Sequence, residues 1–293
     1  VESVVIFVFL AESLGFILAR LGARGRFLCA WVLGVLAFDV LRVRRTLIMT
    51  NLARAFGAQS SRIVRAQVGR ASVVNLILTT LEFFAIRRIF TKQHIEWKNP
   101  EILHGALARG QGVYVMGVHT GNIELLGRVI ATTFARLHVP VKPIGKGRLA
   151  QWVKERRSDN GVEELVNGRG QGRSRTRQMM DALNRNELVG FFVDQRRSRG
   201  SLVPFFGEPA WTNVGLILLW KQRKAPVIPV SIARRGWNQI EVTIHEELVF
   251  DHDPAWSVEQ YVQENAKKMN AMAERMILSN PKEYFWIHDR WKK

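Results

Sequence analysis

The chain has 293 residues, 47% of them hydrophobic, and carries 43 Lys+Arg against 25 Asp+Glu, a formal net charge of +18. That is enough chain to bury a full core, and its basic field calls for an acidic partner: nucleic acid, anionic membrane lipid or an acidic carrier protein. A single cysteine, Cys29, excludes an internal disulfide framework and a multi-cysteine zinc site, and is expected to pack as a small hydrophobe in a reducing compartment.

Residues 1–45 are the most apolar stretch, with runs at 4–10, 14–19 and 27–38 broken by Glu12, Arg20, Arg24 and Arg26. None reaches the roughly 20 apolar residues of a clean span, so a tilted span, an interfacial hairpin and a buried helix all stay open. A cleaved signal peptide is disfavoured, because no basic n-region and no prompt small-residue cleavage site is present. The segment is therefore expected to stay attached as a membrane-associating unit, with residues 46–293 as the main domain. Arg42, Arg44 and Arg45 behind the second run would put that domain on the cytoplasmic face if the segment inserts. The first residue is Val1, so residues upstream are expected.

Helical patterns follow at 47–56 and 61–86. From Gly112 the grammar changes: short apolar runs at 113–118, 139–144, 188–193, 227–232 and 240–244 alternate with amphipathic stretches at 123–137, 149–157, 174–185, 212–223 and 258–278. This predicts an α/β fold with a largely parallel central sheet flanked by helices. Thr212 and Asn213 are placed to cap the fourth of those helices.

In open α/β sheets ligands gather at the carboxyl ends of strands, so the polar residues that follow strand runs matter most. Two runs end in such residues, one at His119 and one at Asp194-Gln195. His119 and Glu124 are five apart across Gly121, which suggests a carboxylate folding back to orient an imidazole that takes a proton from a hydroxyl. Spacing alone leaves a histidine bonded to a backbone carbonyl and a solvated glutamate equally open.

The motifs occur in an order that resembles the late acyltransferases of lipid A biosynthesis and the related phosphatidylinositol mannoside acyltransferases. Asn51-Leu52 with Phe56 is similar to that family's Asn-Leu element, and His119-Thr-Gly-Asn-Ile-Glu124 to its His-x4-acid signature. Arg157-x3-Gly161, Asp194-Gln195, the Val203-Pro-Phe-Phe-Gly207 block with Thr212 and Gly215, and Phe285-Trp-Ile-His288 with Arg290 follow in turn. The resemblance covers the chain from about residue 50 to its end, and its most specific element is the Val-Pro-Phe-Phe-Gly block. It implies His119 as general base and Glu124 as its orienting carboxylate. Arg157, Asp194, Gln195 and Asn122 would be substrate-binding residues, with Arg156 able to take the arginine's part. It further implies O-acyl transfer without a cofactor, from acyl carrier protein or acyl-CoA to an anionic glycolipid, at the cytoplasmic face of a bacterial inner membrane. Departures are the Glu at position 124, where the wider superfamily has Asp, and Arg196, Arg197 and Arg199 behind Asp-Gln.

Other patterns carry less. Gly168-x-Gly170-x-Gly172 has neither the spacing of a dinucleotide fingerprint nor a P-loop Lys-Ser/Thr. His94, His104, His138, His245, His252 and His288 lack metal-ligand spacing, so no metal is expected, and the absence of a Gly-x-Ser-x-Gly elbow disfavours a serine acyl-enzyme. Trp211, Trp220, Trp286 and Trp291 suit a membrane interface or a core. The competing class is a non-catalytic basic protein that binds nucleic acid or anionic membrane through the arginines of 169–177 and 196–199; the α/β pattern weighs against it, and no nucleic-acid partner is expected.

Overall fold

A computed structural model of the protein describes residues 2–57, 60–90, 94–142, 144–145, 147–165 and 174–292, without the side chains of residues 2–7 and 199. The glycine-arginine stretch at 167–173 lies outside the described residues.

Four helices come first, α1 (Glu2–Arg20), α2 (Gly22–Val35), which runs on through a π-helical turn at Leu36–Val40, α3 (Arg45–Phe56) and α4 (Arg62–Ile89). Ser61 starts α4 by accepting from the Val64 amide. Both α1 and α2 lie against α4: Gly34 lets the backbone of α2 approach Val74, and a Cβ there would meet Val74 Cγ2 at 2.4 Å. Of the described helices only Arg62–Ile89 is by itself long and apolar enough to cross a membrane, and half of its most apolar 18-residue window is buried in protein. Val8–Arg20 and Gly22–Val40 pass that test only together, bent by 112°.

The α/β region alternates as expected. It runs β1 (Ile95–Lys98), α5 (Pro100–Ala108), β2 (Val113–Gly117), α6 (Ile123–Thr133), β3 (Leu137–Pro140), α7 (Arg148–Asp159), β4 (Val162–Leu165), α8 (Arg175–Asn184) and β5 (Leu188–Phe192). Then come the hairpin β6 (Arg196–Phe205) and β7 (Glu208–Thr212), α9 (Gly215–Gln222), β8 (Val227–Arg234), β9 (Ile240–Ile244) and α10 (Val258–Ser279). The seven-stranded sheet has the order β1-β9-β8-β2-β5-β3-β4 and is parallel except for the β8–β9 pair, while β6 and β7 form a separate antiparallel ribbon.

Both faces of the sheet are covered, which is why its strands read as unbroken apolar runs. In β2, Val113 and Val115 face one core with α5 and α6, and Tyr114 and Met116 face the other with α8 and α10, as a side-chain period of two requires. Several expectations shift. The helix expected to run to 137 ends at Thr133, and the strand expected at 139–144 is Leu137–Pro140. Asn213 accepts from the Gly215 amide, whereas Thr212 is buried and receives Arg290 and Asn270 instead of capping α9. Cys29 is exposed on α2 rather than packed. Trp286 and Trp291 are core residues, and the tryptophans that face outward are Trp31 and Trp237.

Candidate functional site

The register of the sheet builds the site. β2 and β5 are parallel neighbours with Gly117 opposite Phe192, and the Val193 amide donates to the Gly117 carbonyl. Two residues further on, the strands deliver His119 and Asp194 side by side at the carboxyl edge. Nδ1 of His119 lies 2.8 Å from Oδ1 of Asp194, which is 1% exposed. Burial pushes the Asp194 carboxyl up, but the His119 charge and hydrogen bonds from His119 and from backbone amides outweigh it and hold it below the usual carboxylate range. An ionised Asp194 accepts from Nδ1–H, leaving the Nε2 lone pair as the free basic position.

That lone pair faces the Gln195 amide, with Nε2 of Gln195 3.2 Å from Nε2 of His119. Aromatic rings enclose the imidazole, Phe192 at 4.5 Å and Phe285 at 6.1 Å between centroids. Tyr284, which sequence reasoning did not single out, bonds Asp194 through its hydroxyl; burial and then the Asp194 charge push that phenol well above its usual range.

Glu124 is elsewhere. The turn into α6 directs it toward α7, where its carboxylate takes both Nε (3.0 Å) and Nη2 of Arg157, while Nη1 of Arg157 is 2.5 Å from Glu164. Burial would lower the Arg157 guanidinium, and the two carboxylates more than reverse that. The orienting carboxylate expected of Glu124 is thus Asp194 in this structure, because strand register brings residue 194 to the imidazole and the helix start carries residue 124 away. Asn122, expected among the substrate-binding residues, is placed at the start of α6. It is buried, its Oδ1 caps α6 at the Leu125 amide, and its Nδ2 donates to Glu82. Arg156 pairs with Glu12 of α1 and lies over Trp152, so Arg157 is the arginine beside the His-x4-Glu acid.

An apolar cavity runs between β2–β5–β3 and α6. Gly117, Phe192, Glu124 and Arg157 line it together with Ile130 and Val139. It therefore abuts the His119 edge at one wall and holds the Glu124–Arg157–Glu164 ion group in another. Among the described residues no cluster of His, Cys, Asp or Glu could hold a metal ion. The other histidines have local partners, such as Glu187 for His138 and Ser231 for His245.

The remaining motifs brace this edge. Asn51 donates to the carbonyls of Trp286 and His288, tying the first motif to the last. Within the last, Arg290 bonds Trp211 and Thr212, and Nε2 of His288 accepts from the Arg196 amide. The Phe285 amide donates to the His119 carbonyl, and Phe205 and Phe206 of the Val-Pro-Phe-Phe-Gly turn pack on Trp291 and Trp286. Gly121 has φ +64°, and a Cβ there would lie 2.5 Å from the Ile232 carbonyl oxygen. Gly121→Ala should therefore destabilise the fold by more than about 1 kcal/mol, seen as a lowered midpoint in urea unfolding.

A partly exposed histidine held by a buried aspartate at the carboxyl edge of a parallel sheet, beside an apolar cavity, is an arrangement suited to group transfer. The chain belongs to the family described as bacterial lipid A biosynthesis acyltransferase, which matches residues 2–293. It is 27% identical over 274 residues to the lipid A biosynthesis palmitoleoyltransferase of Escherichia coli strain K12, covering 89% of this chain and 82% of that one. A lipid A biosynthesis acyltransferase of Shigella flexneri matches to the same extent, and one of Haemophilus influenzae is 26% identical over 208 residues, 67% of this chain and 61% of its own. The protein is an O-acyltransferase.

Proposed function

We propose that the protein moves a fatty acyl group from an acyl thioester, on acyl carrier protein or coenzyme A, to a hydroxyl of an anionic glycolipid such as a lipid A precursor. A phosphatidylinositol mannoside or other membrane glycolipid is the alternative acceptor. The observation that carries this reading is the His119–Asp194 pair abutting the apolar cavity in a chain of this family. Nε2 of His119 takes the hydroxyl proton, displacing the Gln195 amide, while the alkoxide oxygen adds to the thioester carbonyl. The tetrahedral adduct collapses with breakage of the C–S bond, and the thiolate receives the proton from Nε2, leaving an ester and a free thiol. Arg157, fixed by Glu124 and Glu164, is a substrate-binding cation beside the cavity, and the cavity takes the acyl chain. In this reading residues 1–45 lie on the cytoplasmic face of the bacterial inner membrane, supported by exposed Phe9, Phe16, Leu28 and Val32 with Arg20, Arg24 and Arg42 among them.

The test is incubation of the purified protein with acyl carrier protein or coenzyme A thioesters and a lipid A precursor. Mass spectrometry should show one added acyl group, lost in His119→Ala; an unmodified acceptor, or turnover retained in that variant, defeats the reading. Burial of each methylene is worth ~0.8 kcal/mol, roughly fourfold in kcat/KM per carbon. Ile130→Trp, which fills the cavity, should move the preferred donor to shorter chains in competition among thioesters of graded length.

A further inference from the structure

A second, half-open cavity lies between α2, α4, the β8–β9 turn and the 3-10 turn Pro281–Glu283. Its walls are aromatic, with Phe27, Trp31 and Trp237, of which Trp31 and Trp237 are 47% and 52% exposed. Phe27 and Trp237 meet edge to face at 5.1 Å. Its polar lining has exposed Gln67 and Lys282, with Arg70 paired to Asp39, and below them Arg234 bonded to Glu82 and Asn75 and, through its amide, to Glu283. Phe27 and Trp31 continue into the exposed apolar side of α2 that carries Leu28 and Val32.

We propose that this cavity binds the phosphorylated saccharide head group of a lipid, which places the acceptor's sugar; this rests on the acceptor being a glycolipid. The C–H faces of a saccharide suit flat aromatic walls, and its hydroxyls can bond the exposed Gln67 and Lys282. A phosphate on it suits exposed Lys282 at the rim, with Arg24 lying over Trp237. A phosphoglycerol head group has no ring to lay on these walls. The cavity is also joined to the catalytic turn. Glu82 accepts from Asn122, and the Glu283 carbonyl accepts from the Gly121 amide, so a head group held here sits across residues 120–122 from the imidazole.

The experiment uses the full chain in nanodiscs with two short-chain probes, a phosphorylated disaccharide lipid and phosphatidylglycerol, and the variants Trp237→Ala and Lys282→Gln. The disaccharide lipid should bind the wild type, and each variant should weaken it roughly tenfold, ~1.4 kcal/mol. In transfer assays the KM for acceptor should rise, with kcat and the donor KM kept. Equal binding of the disaccharide lipid by wild type and variants overturns the proposal, as does phosphatidylglycerol competing as well as the disaccharide lipid. Trp237-dependent saccharide binding by a protein that transfers no acyl group would support the site and instead defeat the reading of its activity.

Discussion

Asp194→Asn should lower kcat by roughly 10³–10⁴-fold with the fold intact. Asp194 is almost fully buried and held ionised, so it can only accept, and this fixes the Nδ1–H tautomer of His119. An asparagine amide at the same place can donate to Nδ1, which moves the ring proton to Nε2 and removes the lone pair that the acceptor hydroxyl needs. Nitrogen-15 spectra of the labelled imidazole should therefore show Nδ1–H in the wild type and Nε2–H in Asp194→Asn. Glu124→Gln should retain the Nδ1–H form, because Glu124 bonds Arg157 rather than the ring. A ring that stays Nδ1–H in Asp194→Asn, or an Asp194→Asn enzyme that turns over like the wild type, would remove Asp194 from its role. A Glu124→Gln ring that changes tautomer would return that role to Glu124.

This contrast also marks how much was legible in the sequence. His119 and Asp194 each stood out as a polar residue ending an apolar run, because a strand buried on both faces leaves its first polar residue at the sheet edge. Their pairing did not, because it depends on β2 and β5 being neighbours, and 75 residues separate the two members. Local spacing favoured Glu124, five residues away, and the direction of the turn into α6 decided otherwise. The four-residue strands β3 and β4 were blurred for a related reason. The Leu-His-Val-Pro of β3 continues the apolar pattern of α6, and only pairing with Val162–Leu165 and Leu188 reveals a strand. The exposed Trp237 and Cys29 belong to surfaces set by how α2 packs on α4, which composition cannot order. Glu82, in contrast, had a readable signal. A carboxylate within the run from Ser72 to Ile86 requires a buried partner, although nothing in the sequence says that the partner is 152 residues away.

That partner is Arg234, and removing it should destabilise the protein by ~3–5 kcal/mol. Glu82 is 2% exposed and takes both terminal nitrogens of Arg234, whose Nε donates to Asn75 at 3.2 Å. Arg234→Met leaves the Glu82 charge in the interior with the Asn122 amide and the nearby Arg26 cation as partners, so its desolvation is compensated only in part. The single substitution Glu82→Leu strands Arg234 in the same way, close to the buried cation of Arg26, which burial already pushes below its usual range. The double variant removes both charges and fills the space with apolar atoms, so most of the loss should return. Guanidinium unfolding of the four proteins gives the coupling directly: singles that simply add in the double variant would show that the pair contributes no mutual energy. Because the Arg234 amide bonds the Glu283 carboxylate and the Glu283 carbonyl holds Gly121, the single variants should lose acyl transfer at denaturant concentrations where the bulk of the sheet is still folded. Activity that instead follows global unfolding in all four proteins would separate this ion pair from the turn that carries His119.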